Sequence, residues 1–280
     1  MTVTVTPLGQ SFGVEIGNVD LTVPLDEATF AHIKRVLIEK QVAVISDVPT
    51  DIKVLVDFGR RFGTFRPHIL SQYHHPDAHE VAVISNDPAT GLSRTTSRPA
   101  GSFWHADLTY ERNPCDVSFL YSVEVPGEGG DTRFADMIGA YETLPTALKE
   151  KIEDLTSIHR YGGRAPDTSI VGLSEDQKAA HPDVEHPVVR RIPETGCKSL
   201  YVSPAYTVQI VGYDERESDT LLEELFGYAL TPELEYRHKW RDRQIVFFDN
   251  RTTMHSATPD YPPDVMRTLY RMFVAFEDAA

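Results

Sequence analysis

Apolar residues recur at every second position at the start of the chain. Val3 and Val5, then the run from Phe12 to Val19, carry the period of half-buried strands, with Pro7 and Gly9 breaking them. After Asp26 the period changes. Phe30, Ile33, Val36 and Leu37 fall on one face of a helix over Glu27 to Lys40, and Asp26 is its expected N-cap. Val42 to Ile45 is a short unbroken apolar strand, and Asp51 to Phe62 is a second helix with Ile52, Leu55, Val56 and Phe58 on its apolar side. From Arg66 to Gly101 the pattern dissolves into Ser, Thr, Pro and His, with one strand-like run at Val81 to Ser85. A stretch of that length inside a domain is more often functional than accidental, so 66–101 is expected to be an active-site loop.

Strand patterns return at Val117 to Val125 and Thr132 to Phe134, separated by the turn Pro126-Gly-Glu-Gly-Gly130. Leu144-Pro145 opens a helix running through Leu155, with proline in a tolerated first-turn position. Residues 160–198 are rich in Pro, Gly, Asp and Arg with few hydrophobic runs, and with His159, Arg160, Arg164, Arg190 and Arg191 read as an insertion or a lid that closes on substrate, a solvated loop being the other reading. Leu200 to Val202, Gln244 to Phe248 and Thr268 to Phe276 are strands, and Glu215 to Tyr228 is a helix. Its apolar face, Leu221, Leu222, Leu225 and Phe226, fits either the core or a subunit contact. There is no internal repeat and no regular strand-helix alternation. The expectation is one domain over 1–280, mainly β with peripheral helices.

Composition narrows the partners. With 41% hydrophobic and 25% charged residues in 280, the chain has ordinary globular proportions. Its formal net charge of −15 opposes binding to nucleic acid or to an anionic membrane surface. Any anionic ligand therefore needs locally placed arginines. Cys115 and Cys197 have no metal-site spacing and read as reduced thiols. The amino terminus lacks a signal-peptide pattern and no run of apolar residues is long enough to span a bilayer, so a cytoplasmic protein is expected.

Among the 11 histidines, the pattern Phe103-Trp-His-Ala-Asp-Leu108 stands out. In a strand, His105 and Asp107 share one face and can grip one ion, although a histidine hydrogen-bonded to a carboxylate fits the pair as well. Far downstream, the apolar run Phe247-Phe248 ends in Asp249-Asn-Arg-Thr-Thr-Met-His255. Two histidines and one carboxylate on one side of a metal leave open positions, as in the facial triad of non-haem Fe(II) oxygenases, where a bidentate 2-oxo acid and dioxygen bind. In Met266-Arg-Thr-Leu-Tyr-Arg271, the two arginines lie on the same strand face as Leu269 and Phe273. Two buried like charges are costly unless anions pair them, and guanidinium forks suit carboxylates or sulfonates; a solvated edge is the other reading.

Taken together, Trp104-His-Ala-Asp107, Gly129-Gly-Asp-Thr132, Asp249-Asn-Arg251 leading to His255, and Arg267 with Arg271 resemble the taurine/2-oxoglutarate dioxygenase (TauD/TfdA-like) family, which includes the herbicide dioxygenases. The resemblance runs over roughly residues 10 to 276. It implies a double-stranded β-helix, the cupin-like jelly roll. It implies Fe(II) on His105, Asp107 and His255, the distal carboxylate of 2-oxoglutarate on Arg267 and the Thr132 hydroxyl, and the anionic group of the substrate on Arg271. Tyr206, in Val202-Ser-Pro-Ala-Tyr-Thr207, matches an aromatic pocket position, and His68, in Phe65-Arg-Pro-His68, lies near a substrate-contacting histidine; Tyr73 and Asn86 are further pocket candidates. The implied reaction converts 2-oxoglutarate and O2 to succinate and CO2 while hydroxylating a small anionic organic substrate: a sulfonate, carboxylate, aryloxyalkanoate or amino-acid-like molecule. Gly101-Ser-Phe103 stands where the taurine enzyme has an asparagine for the substrate amine, which argues against taurine. Because Asp107 is present rather than Gly or Ala, hydroxylation or desaturation is favoured over halogenation. A homo-oligomer is expected.

Three other readings are weaker. His75 and His79 have zinc-like spacing, but Pro76 interrupts them and no HExxH glutamate is present. No GxSxG elbow supports a serine hydrolase. A jelly roll that binds a small acid without turnover would retain the same ligands and is separated from an enzyme by its products.

Overall fold

A computed structural model describes residues 2–9, 12–88, 101–165 and 171–277. The alternating segments at the start form β1 (Thr4–Pro7) and β2 (Val14–Gly17), followed by α1 (Glu27–Lys40), β3 (Val42–Ile45), α2 (Ile52–Arg60) and β4 (Gly63–Phe65). Asp26 caps α1 as expected, accepting from the Thr29 backbone N–H at 2.8 Å. Asp51 caps α2 in the same manner. The stretch expected to be a loop over 66–101 carries more order than its composition suggests: β5 (His74–His75) pairs with β6 (Ala78–Ser85). Its residues 89–100 lie outside the described residues.

The chain continues through β7 (Val117–Glu124), β8 (Thr132–Asp136), α3 (Met137–Thr143), α4 (Thr146–Ile152) and β9 (Thr156–His159). Helix α3 was not anticipated. Asp136 caps it through the N–H groups of Ile138 and Gly139, and the glycine that weakens the sequence signal is required, since a Cβ there would lie 2.7 Å from Leu234 Cδ2. The helix expected through Leu155 ends at Ile152.

The tract 160–198, read as an insertion or lid, departs most from expectation. It holds α5 (Glu175–Ala180), β10 (Val184–Pro187), β11 (Val189–Arg191) and the start of β12 (Lys198–Leu200), the latter two residues earlier than the expected 200–202 strand; residues 166–170 lie outside the described residues. Three of its arginines are paired, Arg160 with Asp183, Arg164 with Asp219 and Glu223, and Arg190 with Asp116, while Arg191 donates to the carbonyl of Gly196. Short strands such as Val184-Glu-His-Pro187 bury too few side chains to leave an apolar pattern. The chain closes with β13 (Thr207–Ile210), α6 (Glu215–Ala229), β14 (Glu235–His238), β15 (Ile245–Asp249), β16 (Thr253–Ala257) and β17 (Thr268–Phe276).

Two sheets face each other in a jelly roll. The larger runs β1-β2-β3-β15-β7-β17-β6-β5 with β4 also on β17, and the smaller runs β14-β8-β16. Parity along the large-sheet strands decides what each side chain meets. Ala43, Ile45, Val117, Phe119, Ile245, Phe247, Met272 and Val274 pack outward under α1 and α2 with Phe30, Leu37, Leu55 and Phe58. Val42, Val44, Leu120, Val246, Phe248 and Leu269 point inward against Phe134, Tyr236 and Trp240 of the small sheet or its flank. Both faces are covered, which explains the nearly unbroken apolar runs. A third cluster packs Leu221, Leu222, Leu225 and Phe226 of α6 on α3 and α4, so this face belongs to the core. No helix among the described residues is long and apolar enough to cross a membrane. Both cysteines are free thiols.

Candidate metal centre

His105 and His255 meet through the backbone. The N–H of His105 donates to the carbonyl of His255 at 3.0 Å, and the reverse bond is 2.8 Å, forming an antiparallel bridge at the margin of the small sheet. Directly paired residues point the same way, and the two ring centroids are 4.1 Å apart. The expectation that His105 and Asp107 share a strand face needs correction. His105 makes only this single bridge, and Asp107 lies in the turn that follows, where Leu108 takes φ +55°.

The three side chains converge. Asp107 Oδ1 is 3.6 Å from His105 Nε2, and Asp107 Oδ2 is 3.6 Å from His255 Nε2. Both separations are too long for hydrogen bonds. Nitrogen and oxygen donors of the three residues lie within 4.8 Å of one another, and all three residues are buried. His105 Nδ1 donates to the carbonyl of Phe103 at 2.8 Å, which leaves the Nε2 lone pair facing the carboxylate. Two imidazoles and a carboxylate aimed at a common point without bonding to one another are the donor set that a divalent metal fills.

Burial lowers the pKa of the His255 ring to about 3, so it is neutral, the form that ligates. Burial also opposes ionisation of Asp107, but the neighbouring His255, His105 and Arg271 groups overturn it and hold the carboxyl far below its usual range. With His255 neutral, the cation answering Asp107 is Arg271, whose Nη1 is 3.6 Å from Oδ1.

Beside these donors a cavity is lined by His105, His255, Thr132, Arg267, Leu269, Arg271, Ile84, Leu120, Gly101 and Ala257. Both arginines are almost fully buried, at 4% and 8% exposure. Arg267 Nε donates to the carbonyl of Gly130 at 2.9 Å; no carboxylate lies within ion-pair reach of its guanidinium among the described residues. Gly130 has φ +65°, and a Cβ there would sit 3.2 Å from Arg267 Cδ. The neighbouring Gly130 N–H donates to Asp260, which also accepts from Thr258 and Arg237. Thr132 Oγ accepts from Trp240 Nε1 at 3.0 Å, leaving its own proton to donate elsewhere. Arg271 lies over the Phe273 ring at 4.7 Å.

The remaining candidates divide. Tyr206 borders the centre, its ring edge-on to His105 at 5.8 Å within a cluster of Phe103, Tyr110 and Tyr161. His68 is not among the described residues that line this cavity; it stacks on Phe273 at 6.0 Å, the ring over which Arg271 also lies. Asn86 holds the backbone of Arg267 by accepting its N–H at 2.7 Å, and Tyr73 ends a short helical turn before β5. His75 bonds the N–H of Asp77, and no metal-like group of three forms around His75 or His79 among the described residues. Sequence reasoning missed Gly130 and Asp260 as supports of Arg267, and Trp240 as the partner of Thr132. The first stood in the Gly129-Gly130 motif, but nothing local ties it to residues so far along the chain.

A jelly roll enclosing a buried two-histidine, one-carboxylate centre beside paired arginines defines the non-haem oxygenase class. Comparison with known proteins makes this specific. The chain belongs to the taurine catabolism dioxygenase TauD, TfdA family, whose model matches residues 4–273. It is 31% identical over 264 residues to the alpha-ketoglutarate-dependent 2,4-dichlorophenoxyacetate dioxygenase of Cupriavidus pinatubonensis, covering 91% of this chain and 92% of that protein. It is 30% identical over 274 residues to the (S)-phenoxypropionate/alpha-ketoglutarate-dioxygenase of Sphingobium herbicidovorans, covering 91% and 89%. Among solved structures, a taurine dioxygenase from Burkholderia xenovorans superposes with a TM-score of 0.82 at 33% identity, covering 99% of this chain and 90% of that one. The protein is accordingly an oxidoreductase, an alpha-ketoglutarate-dependent dioxygenase.

Proposed function

We propose that the whole chain acts as one Fe(II)- and 2-oxoglutarate-dependent domain that hydroxylates a small organic anion. His105, Asp107 and His255 hold the iron, Arg267 and Thr132 take the distal carboxylate of 2-oxoglutarate, and Arg271 takes the acid group of the substrate. The observation that carries this reading is the coexistence of the His-Asp-His cluster and two nearly buried arginines on one small cavity. Arg267 is a buried cation with no carboxylate in ion-pair reach among the described residues, and Arg271 has only the edge of the Asp107 carboxylate, so the cavity is suited to ligands that bring anionic groups. The aryloxyalkanoate and taurine relatives supply the range of acids to be tried.

When bound, the iron and the oxo acid supply the oxidising chemistry, with succinate and CO2 as co-products. The protein residues orient and exclude. The planar Arg267 fork, fixed by Gly130, suits bidentate grip of a carboxylate, and the Thr132 proton points the second bond. Arg271, four residues further along and lining the same cavity, is suited to anchor a second anion closer to Asp107. Ile84, Leu120 and Leu269 keep the intervening wall dry, which strengthens both charge pairs. Tyr206 and its aromatic neighbours offer an apolar surface to the body of the substrate.

The test is succinate formation with Fe(II) and 2-oxoglutarate across sulfonates, carboxylates, aryloxyalkanoates and amino acids. At least one acid should stimulate succinate release, Asp107→Ala should abolish it, and Arg271→Ala should raise KM for the acid far more than for 2-oxoglutarate. Undiminished succinate release by Asp107→Ala would overturn the iron assignment, and equal KM losses would overturn the division of roles between the arginines.

A further inference from the structure

We infer that Ser118 and Asn250 are positioning residues that set the carboxylate of Asp107 for the metal. The inference rests on the reading that His105, Asp107 and His255 form a metal site. Asp107 needs such support because it sits in a turn after an isolated bridge, with no ladder to fix its side chain. The support comes from the large sheet. Ser118 lies on β7, and its Oγ donates to Asp107 Oδ2 at 2.8 Å.

A serine hydroxyl has one proton and rotates freely unless its lone pairs are also engaged. Asn250, just after β15, donates from Nδ2 to Ser118 Oγ at 2.6 Å, which directs the serine proton onto the carboxylate. The same Nδ2 contacts Cys115 Sγ at 2.8 Å, while Asn250 Oδ1 accepts the backbone N–H of Asp107 at 3.2 Å. Both amide protons and the amide oxygen are therefore in use, and turning the amide over would set NH2 against N–H and oxygen against two other acceptors. The backbone and side chain of Asp107 are thus held by one asparagine, directly and through one serine. Ser118 and Asn250 are at most 1% exposed, so water does not substitute for either bond.

The inference assigns Asn250, within the Asp249-Asn-Arg251 turn that leads to His255, a place in the support of a ligand carried on a distant part of the chain. Outer partners of metal ligands typically change metal affinity by about 10–100-fold when removed. Ser122 provides a matched comparison. It lies two turns of the pleat away on β7, is equally buried and faces inward, but its hydroxyl bonds the carbonyl of Arg241 at 2.6 Å and touches none of the three ligands.

The experiment is Mn(II) binding to metal-free full-length protein, read by titration calorimetry and by the Mn(II) paramagnetic resonance signal, with the melting temperature of each metal-free variant measured alongside. Ser118→Ala and Asn250→Ala should each weaken Mn(II) by about tenfold or more, whereas Ser122→Ala should bind as wild type even where its melting temperature falls equally. Wild-type affinity in Ser118→Ala, with Asp107→Ala losing the metal, overturns the positioning role alone. Equal losses of affinity in Ser118→Ala and Ser122→Ala also overturn it, by making the effect one of general stability. Wild-type affinity in Asp107→Ala overturns the underlying metal site instead.

Discussion

Replacing Arg267 by methionine should make the free protein slightly more stable while removing its response to 2-oxoglutarate. Arg267 is 4% exposed, and burial depresses its pKa, a sign that its charge is poorly compensated. The effective penalty for a buried ion is several kcal/mol after relaxation. Against this stands one hydrogen bond, Nε to the Gly130 carbonyl at 2.9 Å, whose loss costs about 1.5–3 kcal/mol for a charged donor. Methionine retains most of the side-chain volume, so little cavity cost is added. The balance favours the variant by about 1 kcal/mol. An unfolding entropy of about 2.1 cal/mol/K per residue over 280 residues converts this to a rise of about 2 °C in Tm. In the same thermal-shift experiment, with Mn(II) replacing iron to prevent turnover, 2-oxoglutarate at about 100 times its Kd should add about 2.7 kcal/mol, or about 5 °C, to the wild type alone. A methionine variant that melts several degrees below wild type, or that gains as much from 2-oxoglutarate, would refute the view of Arg267 as a destabilising residue retained for a ligand.

Three further outcomes are expected. Gly130→Ala places a side chain at φ +65°, costing about 1–2 kcal/mol, and crowds Arg267 and Tyr261; KM for 2-oxoglutarate should rise about tenfold while Mn(II) affinity stays constant, and a parallel loss of metal would contradict the assignment. His159 and His238 are pushed down by burial to about 3 and about 4, so the folded rings stay neutral where unfolded ones protonate; stability should fall as pH drops below about 6.5, approaching 1.4 kcal/mol per pH unit for each ring. Urea unfolding at a series of pH values checks this, and His159→Phe should flatten the slope; an unchanged slope would exclude His159 as its source. Asp214→Ala removes the capping box of α6, in which Asp214 and Glu217 exchange bonds, and should lower Tm by about 2 °C, corresponding to about 1 kcal/mol, with a null shift counting against the cap.

Elements that bury a complete face were legible in the chain. Asp26 and the spacing of Phe30, Ile33 and Leu37 locate α1, and the runs around Val42 to Ile45 and Phe247 locate strands, because each element carries its own period. Helix α3 escaped because Gly139, needed to clear Leu234, lowers the local propensity. The strands within 160–198 escaped because their partners, not their composition, make them strands. At the centre, the residue types of His105, Asp107, His255, Arg267 and Arg271 were visible as motifs, while the reason offered for bringing His105 and Asp107 together, a shared strand face, differs from the turn that does so.

The sequence by itself determined which chemistry is available: a carboxylate and imidazoles in short motifs, two arginines on one strand parity, and an acidic chain that confines anion binding to such places. Tertiary structure alone decided how those groups are supported. The bridge between His105 and His255, the Gly130 carbonyl on Arg267, and Ser118 with Asn250 on Asp107 all join residues distant in the chain. Local periodicity reports which face of an element is buried, but a hydrogen bond between elements depends on sheet order and register, which are fixed only when the two sheets close on their common core.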